Sequence, residues 1–398
     1  MKIIRYLKEH GIKRLFIVLY EYKMDLFIQK IILSFVRNKP LKNIIIIESH
    51  NDFDSNGGAL YKYLIKKGFN NKYKIVWLLK NKIPKKLPDN VEAYSLFRPN
   101  FRKDYFICVA KILSADCCVT NKVRDNQKSF YLSHGAFSLK SSHGKIDIPE
   151  SVDYVLIPSE YTLPIQEKQY NPSAKTKLIS IGFPVHDIFF SSVSDEIKKL
   201  TEKQFKKTII WMPTFRKGGG FHRNDSEIEL PLGIPLIEDE EQYTLLDQFA
   251  RNLDILLIIK IHPMQDMSTV KISDKSNIKV LTGDSVKTLN IDNYSLLKDT
   301  DALISDYSSI AYDYLMLDRP IAYVFSDLKT YKNGLVTDCP DELMAGPIIE
   351  NYYDLENFIL DIVTDRDLYK EKRQLLRGKI FKYCDGNSAH RLVDFMKL

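Results

Sequence analysis

Residues Asp301–Tyr323 read DALISDYSSIAYDYLMLDRPIAY, and their pattern decides the fold class. Ala302 to Ser305 is a short apolar run that predicts a buried strand. Asp306, Ser308 and Ser309 carry N-cap chemistry, and Ile310, Ala311, Tyr314 and Leu315 then recur at helical spacing. Pro320 should stop that helix, and the apolar run Ile321 to Phe325 predicts the next strand. Strand, polar turn and helix in succession point to an α/β protein. Backbone N–H groups and two serine hydroxyls at such a turn suit a phosphate, although an ordinary capped helix shows the same pattern.

The same grain extends outward. Strands are predicted at Ile44 to Glu48, Tyr73 to Leu79, Asp116 to Thr120, Ser129 to Ser133 and Asp153 to Pro158. A polar loop, Ser49 to Gly58, leads into a helix from Ala59 to about Lys67. Between Pro184 and Lys207 the chain turns polar and rich in Ser and Lys, which predicts a domain junction. We therefore expect one Rossmann-like domain over 43–195 and a second over 205–375. The second opens with the strand Thr208 to Met212, and a continuous apolar strand follows at Leu253 to Ile261. Residues 376–398 are expected to form a last helix.

At 398 residues, 44% apolar and 27% charged, the chain suits a soluble two-domain protein. A net charge of +7 favours anionic partners. No Arg/Lys block with interleaved aromatics is present, so nucleic acid is set aside. The five cysteines lack C-x-x-C spacing, and Cys117 and Cys118 fall in an apolar run where buried thiols are expected. No acidic cluster has metal-ligand spacing, so no metal and no cofactor is implied. Residues 1–42 carry ten Lys/Arg against three acidic residues, with Phe16, Tyr20, Phe27, Ile28, Ile31 and Ile32 at helical intervals. That predicts basic amphipathic helices lying on an anionic membrane surface, or a helical cap on the protein's own core. Self-association is left open.

Three further stretches carry chemistry. His134-Gly135 ends a predicted strand, where open α/β sheets bind ligands, and a neutral imidazole there can take a proton. A structural histidine fits equally well. Trp211-Met-Pro-Thr-Phe-Arg216 places Thr214 and Arg216 at a strand end, and an arginine there can fork onto a phosphate. Lys217 to Gly220 adds a glycine loop. Lys260-Ile-His-Pro263 sits at the end of another strand.

Taken together, these motifs resemble those of the CDP-glycerol glycerophosphotransferases, which build teichoic acids and phosphate-linked capsules. Asp306, Ser308, Ser309, Asp313 and Pro320 match the D-Y-S-S…D-Y-L…P-I signature, and Thr214 and Arg216 match W-x-P-T-F-R. His134 and Gly135 match W-H-G-T-P-x-K, with Lys140 one place late and Ser133 where the family has Trp. Gly57 stands in place of a proline in N-P-x-A-L-Y-x-Y-L, which should loosen that helix start. The resemblance implies a glycosyltransferase-B architecture, two Rossmann-like domains facing a cleft, with the last helix crossing back towards the first domain. It also implies transfer of glycerol phosphate from CDP-glycerol, or of ribitol phosphate from CDP-ribitol, to a polyprenyl-linked saccharide at the cytoplasmic face of the membrane. His134 and His262 are then the catalytic pair. Arg216, Asp306, Ser308 and Ser309 meet the donor diphosphate, with Gly135, Lys140, Thr214, Lys260 and Pro263 around the rim. A UDP-sugar glycosyltransferase or epimerase, and a non-catalytic saccharide-phosphate-binding protein, are the alternatives.

Overall fold

The computed structural model describes residues 12–13, 16, 20, 24–142, 146, 148–192, 194–218, 224–226, 228–325, 328 and 331–398. Two sheets organise the chain, and every strand pair in both is parallel. The first comprises β1 (Lys42–Glu48), β2 (Lys74–Leu79), β3 (Val91–Ser95), β4 (Ala110–Ala115), β5 (Lys128–Tyr131), β6 (Tyr154–Leu156) and β7 (Lys177–Ile179). Its order is β3-β2-β1-β4-β5-β6-β7. Helices at 24–36 (α1), Ser55–Lys66 (α2), Phe101–Val109 (α3) and Leu163–Tyr170 (α4) accompany it. The second sheet comprises β8 (Lys207–Trp211), β9 (Ile255–Lys260), β10 (Ile278–Leu281), β11 (Ala302–Ser305), β12 (Ile321–Val324) and β13 (Ile348–Ile349), ordered β10-β9-β8-β11-β12-β13. Its helices are α5 (Glu240–Asn252), α6 (Gly283–Thr288), α7 (Asn293–Lys298), α8 (Ile310–Tyr314), α9 (Tyr352–Val363), α10 (Lys370–Ile380) and α11 (Ser388–Met396).

Strands covered on both faces must be apolar on both, and Ile44–Ile47 and Ile255–Ile259 are buried without alternation. In each sheet the order reverses beside the first strand, between β1 and β4 and between β8 and β11. Loops at the carboxyl ends of strands open a crevice at such switch points. The residues singled out by their sequence motifs lie on these loops.

Several elements differ from expectation. The strand expected at Asp116 to Thr120 lies six residues earlier, because α3 runs directly into β4 and leaves Asp116 as the first residue beyond it. Helix α2 begins at Ser55 rather than Ala59. Asp54 caps it, and Gly57 is demanded by packing: a Cβ there would lie 2.9 Å from the Glu48 carbonyl oxygen. The helix after Ser309 is short, passing into a 3-10 turn at Leu315–Leu317. Asp318, in the left-handed region at φ 51°, ends it before Pro320 is reached. The glycine loop expected over 217–220 lies outside the described residues at 219 and 220.

Helix α1 docks on the first domain. Ile28 and Val36 are buried, the Gln29 amide donates to Asp104, and Asp25 pairs with the buried Lys103 at 2.6 Å. Its other side keeps Phe27, Ile31 and Phe35 exposed at i, i+4 and i+8. The segment thus combines the two expected alternatives, a cap on the core and an unpartnered apolar ridge. Among the described residues no helix is long and apolar enough to cross a membrane.

The two halves meet along a seam. His186, in the 3-10 segment Pro184–Phe190, and Tyr294 on α7 both hydrogen-bond the buried Asp313 on α8, at 2.8 and 3.0 Å. The Ser138 hydroxyl donates to the Tyr307 carbonyl, and Phe137 packs edge-on against Tyr312. Helix α11 returns to the first domain, its Ser388 and Ala389 N–H groups donating to Asp187 and its Phe395 packing on Phe130 and Tyr154.

Two glycines test this packing in opposite senses. A Cβ on Gly346 would sit 1.6 Å from the Ile321 carbonyl oxygen, whereas one on Gly378, inside α10, meets nothing within 4 Å. Gly346→Ala should lower unfolding stability by about 2–4 kcal/mol. Gly378→Ala should raise it by about 0.5–1 kcal/mol through helix propensity. Urea unfolding of the two variants checks both signs.

Candidate active site

On the first domain the crevice is built from the ends of β1, β4 and β5. Ser133 leaves β5 in the left-handed region at φ 56°, and its hydroxyl donates to the Gly135 carbonyl, turning the chain so that His134 enters the cleft. The Asp116 carbonyl lies 3.4 Å from His134 Nδ1, which favours a proton on Nδ1 and leaves the Nε2 lone pair available. The ring is open to the cleft yet surrounded by protein, and that desolvation, aided by the nearby Lys140 charge, lowers its pKa from the usual histidine value. His134 is therefore predominantly neutral at pH 7.

His50, on the loop after β1, stacks on His134 with ring centroids 4.8 Å apart. Desolvation, His134 and Lys80 push its pKa down to about 4. Asp116 anchors this wall: its carboxylate accepts the backbone N–H groups of His50 and Gly57. Burial drives that carboxyl well above the ordinary aspartate range. Glu48 accepts the N–H groups of Cys117 and Cys118 and pairs with Lys80 at 2.6 Å. The Asn56 amide donates to the Leu132 and Ser133 carbonyls, holding α2 against the histidine loop.

The second domain contributes the ends of β8, β9 and β11. Asp306, counted from its motif among the phosphate contacts, is buried and saturated: it accepts the Thr214 N–H and hydroxyl and pairs with Arg216 at 2.9 Å. Its role is to hold Arg216, which is itself 2% exposed and also donates to the Thr214 carbonyl. Ser309 begins α8 without a side-chain cap bond, so the capping expected of it does not form. Instead it faces Gly135 so closely that a Cβ there would lie 2.7 Å from the Ser309 hydroxyl. Ser308 contributes only a long contact of 3.4 Å to the Ile310 N–H. Lys140 is carried onto the second domain, where it bridges to Leu335.

Lys260 ends β9 almost fully buried, and among the described residues no ion pair involves its ammonium. Desolvation pulls its pKa down to about 8, opposed only by Asp54 of the first domain. A buried cation without a carboxylate is costly unless an anion arrives. The Met264 N–H donates to His262 Nδ1 at 3.0 Å, which places the ring proton on Nε2. His262 thus presents a donor where His134 presents an acceptor. Pro263 lies exposed at the rim, beside the Gly283 turn.

The fold therefore joins Gly135 to Ser309 directly and sets Lys260 toward Asp54, while Arg216, Thr214 and Asp306 form one cluster. Sequence reasoning missed His50, Asp116, Glu48 and Lys80, which converge from segments up to 68 residues apart. The polar loop directly after the Ile44 to Glu48 strand was the one available signal. Cys117 and Cys118, expected buried, are half-buried and exposed at the crevice edge, because β4 ends before them.

Two parallel doubly wound sheets, joined by a short linker and a returning C-terminal helix, define a protein of the glycosyltransferase-B class. The solved wall teichoic acid polymerase TagF superposes with a TM-score of 0.74 at 18% identity, covering 100% of this chain and 97% of that one. The chain belongs to the CDP-glycerol:poly(glycerophosphate) glycerophosphotransferase family, which it matches over residues 31–398. A teichoic acid glycerol-phosphate primase of Bacillus subtilis (strain 168) is 28% identical over 389 residues, 90% of this chain and 92% of the relative. A teichoic acid glycerol-phosphate transferase of Staphylococcus aureus (strain NCTC 8325 / PS 47) is 23% identical over 392 residues, covering 89% and 92%. A teichoic acid ribitol-phosphate primase of Bacillus spizizenii (strain ATCC 23059 / NRRL B-14472 / W23) is 23% identical over 258 residues, 63% of this chain and 60% of its own.

The Asp306 cluster gives a direct test. Asp306→Ala removes a buried carboxylate from Arg216 and from the Thr214 N–H and hydroxyl, a loss of about 3–5 kcal/mol. Urea unfolding should show it; a variant as stable as wild type would assign Asp306 to ligand contact alone.

Proposed function

We propose that this protein transfers glycerol phosphate from CDP-glycerol to a hydroxyl of a membrane-linked saccharide or a growing polyol-phosphate chain, releasing CMP. The observation that carries the reading is the buried Lys260, without an ion pair among the described residues, at the crevice of one domain, with the neutral His134 on the facing domain. The first asks for an anion and the second for a proton. In the proposed step His134 Nε2 accepts the acceptor hydroxyl proton as that oxygen attacks the β-phosphorus, and the bond to CMP breaks. Lys260 and the His262 Nε2–H offset the charge gathering on the phosphoryl and leaving oxygens, with Arg216 held nearby by Asp306. Little covalent chemistry is asked of the protein; positioning carries the rate.

Glycerol rather than ribitol is favoured because a glycerol-phosphate primase is 28% identical over 389 residues, against 23% over 258 residues for the ribitol-phosphate primase. A structure of a TagF variant soaked with CDPG shares this fold, with a TM-score of 0.72 at 18% identity. Mass spectrometry of products from CDP-glycerol and CDP-ribitol, each offered with membrane extract, tests the choice.

His134→Ala should cut transfer by about a hundredfold to ten-thousandfold, the usual cost of a lost general base, with CDP-glycerol affinity nearly unchanged. Its lowered pKa moves the acid limb of the rate profile below pH 6.5. Lys260→Met should instead weaken donor binding, and wild-type donor affinity should fall as pH rises through about 8 and the ammonium deprotonates. Retention of more than about a tenth of turnover in His134→Ala would place the base elsewhere.

Membrane attachment at the cytoplasmic face is the second part of the proposal, and the exposed Phe27, Ile31 and Phe35 ridge supports it. Changing all three to Ser should abolish sedimentation with anionic liposomes while leaving the melting temperature within a few degrees. Deleting the whole segment to residue 42 is a poorer test, since it removes the buried Ile28 and Val36 from the first-domain core and takes Asp25 away from Lys103. Equal liposome binding by wild type and triple variant, at low and high salt, argues against the membrane reading.

A further inference from the structure

His50 and His134 lie face to face at the crevice, their ring centroids 4.8 Å apart and their planes 18° from parallel. The backbone that carries the His50 ring is held on both sides. Its N–H donates to the Asp116 carboxylate, and its carbonyl accepts the Lys80 ammonium at 3.0 Å. The ring's Nδ1 lies 3.4 Å from the Cys117 sulfur. Asp116 serves both histidines: its carboxylate fixes His50, and its carbonyl faces His134 Nδ1.

His134 needs such a neighbour. The torsion that swings an imidazole is broad and roughly two-fold, so no rotamer fixes the ring plane. The 3.4 Å separation from the Asp116 carbonyl is a long contact and a weak hold. A proton is accepted along the Nε2 lone pair, which lies in the ring plane, so a ring that swings loses its aim at the hydroxyl. We propose that His50 is a positioning residue for the transfer step, its ring a fixed shelf that sets the plane of the His134 imidazole and shields one face from water. The role rests on the reading of His134 as the base. His50 itself stays out of the proton transfer. Desolvation first, then His134 and Lys80, lower its pKa to about 4, so the imidazolium formed on His134 meets a neutral ring. The titratable and charged groups around the pair are Asp116, Cys117, Lys80, Lys140 and Asp313, and none carries a ring that could replace the stack.

Two readouts on the full chain separate this role from that of the base. His50→Ala should lower kcat about tenfold to a hundredfold, the range expected when a reacting group is held less tightly, with KM for CDP-glycerol nearly unchanged. Opening the shielded face to water should raise the His134 pKa toward the usual 6.5 and move the acid limb of the rate profile up with it. His50→Phe keeps a flat ring and should restore both kcat and the low titration, whereas a merely structural His50 would show neither the shift nor the rescue. Ring-proton NMR titration of His134, its signal assigned by its loss in His134→Ala, follows the shift without any transfer assay. His50→Asn, smaller and without an aromatic ring, repeats the test should the alanine variant fail to fold. Unchanged kcat in His50→Ala, or a His134 titration that stays where wild type has it, overturns the role. Failure of the underlying reading shows elsewhere, as turnover retained in His134→Ala.

Discussion

One carboxylate holds the two halves of this molecule in register. Asp313, at the centre of the seam, accepts hydrogen bonds from His186 on the linker side and Tyr294 on the second domain, and all three groups are withdrawn from water. A buried charge of this kind is tolerable only when hydrogen-bonded, so the geometry that satisfies it is also the geometry that orients the domains. The approach of Gly135 to Ser309, the bond from Ser138 to the Tyr307 carbonyl and the facing of Lys260 toward Asp54 all depend on it. Helix α11 adds a second tether by donating its first N–H groups to Asp187.

Within that frame the two walls of the crevice divide the electrostatic work. The first-domain wall concentrates titratable groups that desolvation shifts toward their neutral forms: His134 and His50 downward and the Asp116 carboxyl upward. The second-domain wall keeps positive charge under low exposure. Arg216 is neutralised internally by Asp306, and among the described residues no carboxylate forms an ion pair with Lys260. An anionic donor would therefore be drawn to one wall, while a hydroxyl meets a basic nitrogen on the other. The glycine at 135 is what lets the walls come this close, since any side chain there would occupy the space of the Ser309 hydroxyl.

The loop after β4 has a separate character. Glu48 reaches across from β1 to organise the Cys117-Cys118 turn, and Lys80 from β2 neutralises it. Three neighbouring strands thus spend their C-terminal residues on one small surface beside His134. This organisation fixes the Cys117-Cys118 turn at the crevice edge.

The sequence by itself determined the alternation of strands and helices, the parallel two-domain class and the placement of motif residues at strand ends. Continuous runs such as Ile44–Ile47 and Ile255–Ile259 are legible because burial on both faces removes every polar position. Local backbone rules did less well where packing overrode them. Helix α2 starts across two glycines because the Glu48 and Phe53 carbonyl oxygens need the room, and the helical turn after α8 stops at Asp318 because the chain turns there in a left-handed conformation. Only the tertiary structure decided which side chains meet. It assigned Asp306 to Arg216, set His50 on His134 and brought Glu48 to cysteines 69 residues away. Spacing along the chain reports local periodicity, whereas these contacts are fixed by sheet order and by the burial of charge, which one linear sequence does not display.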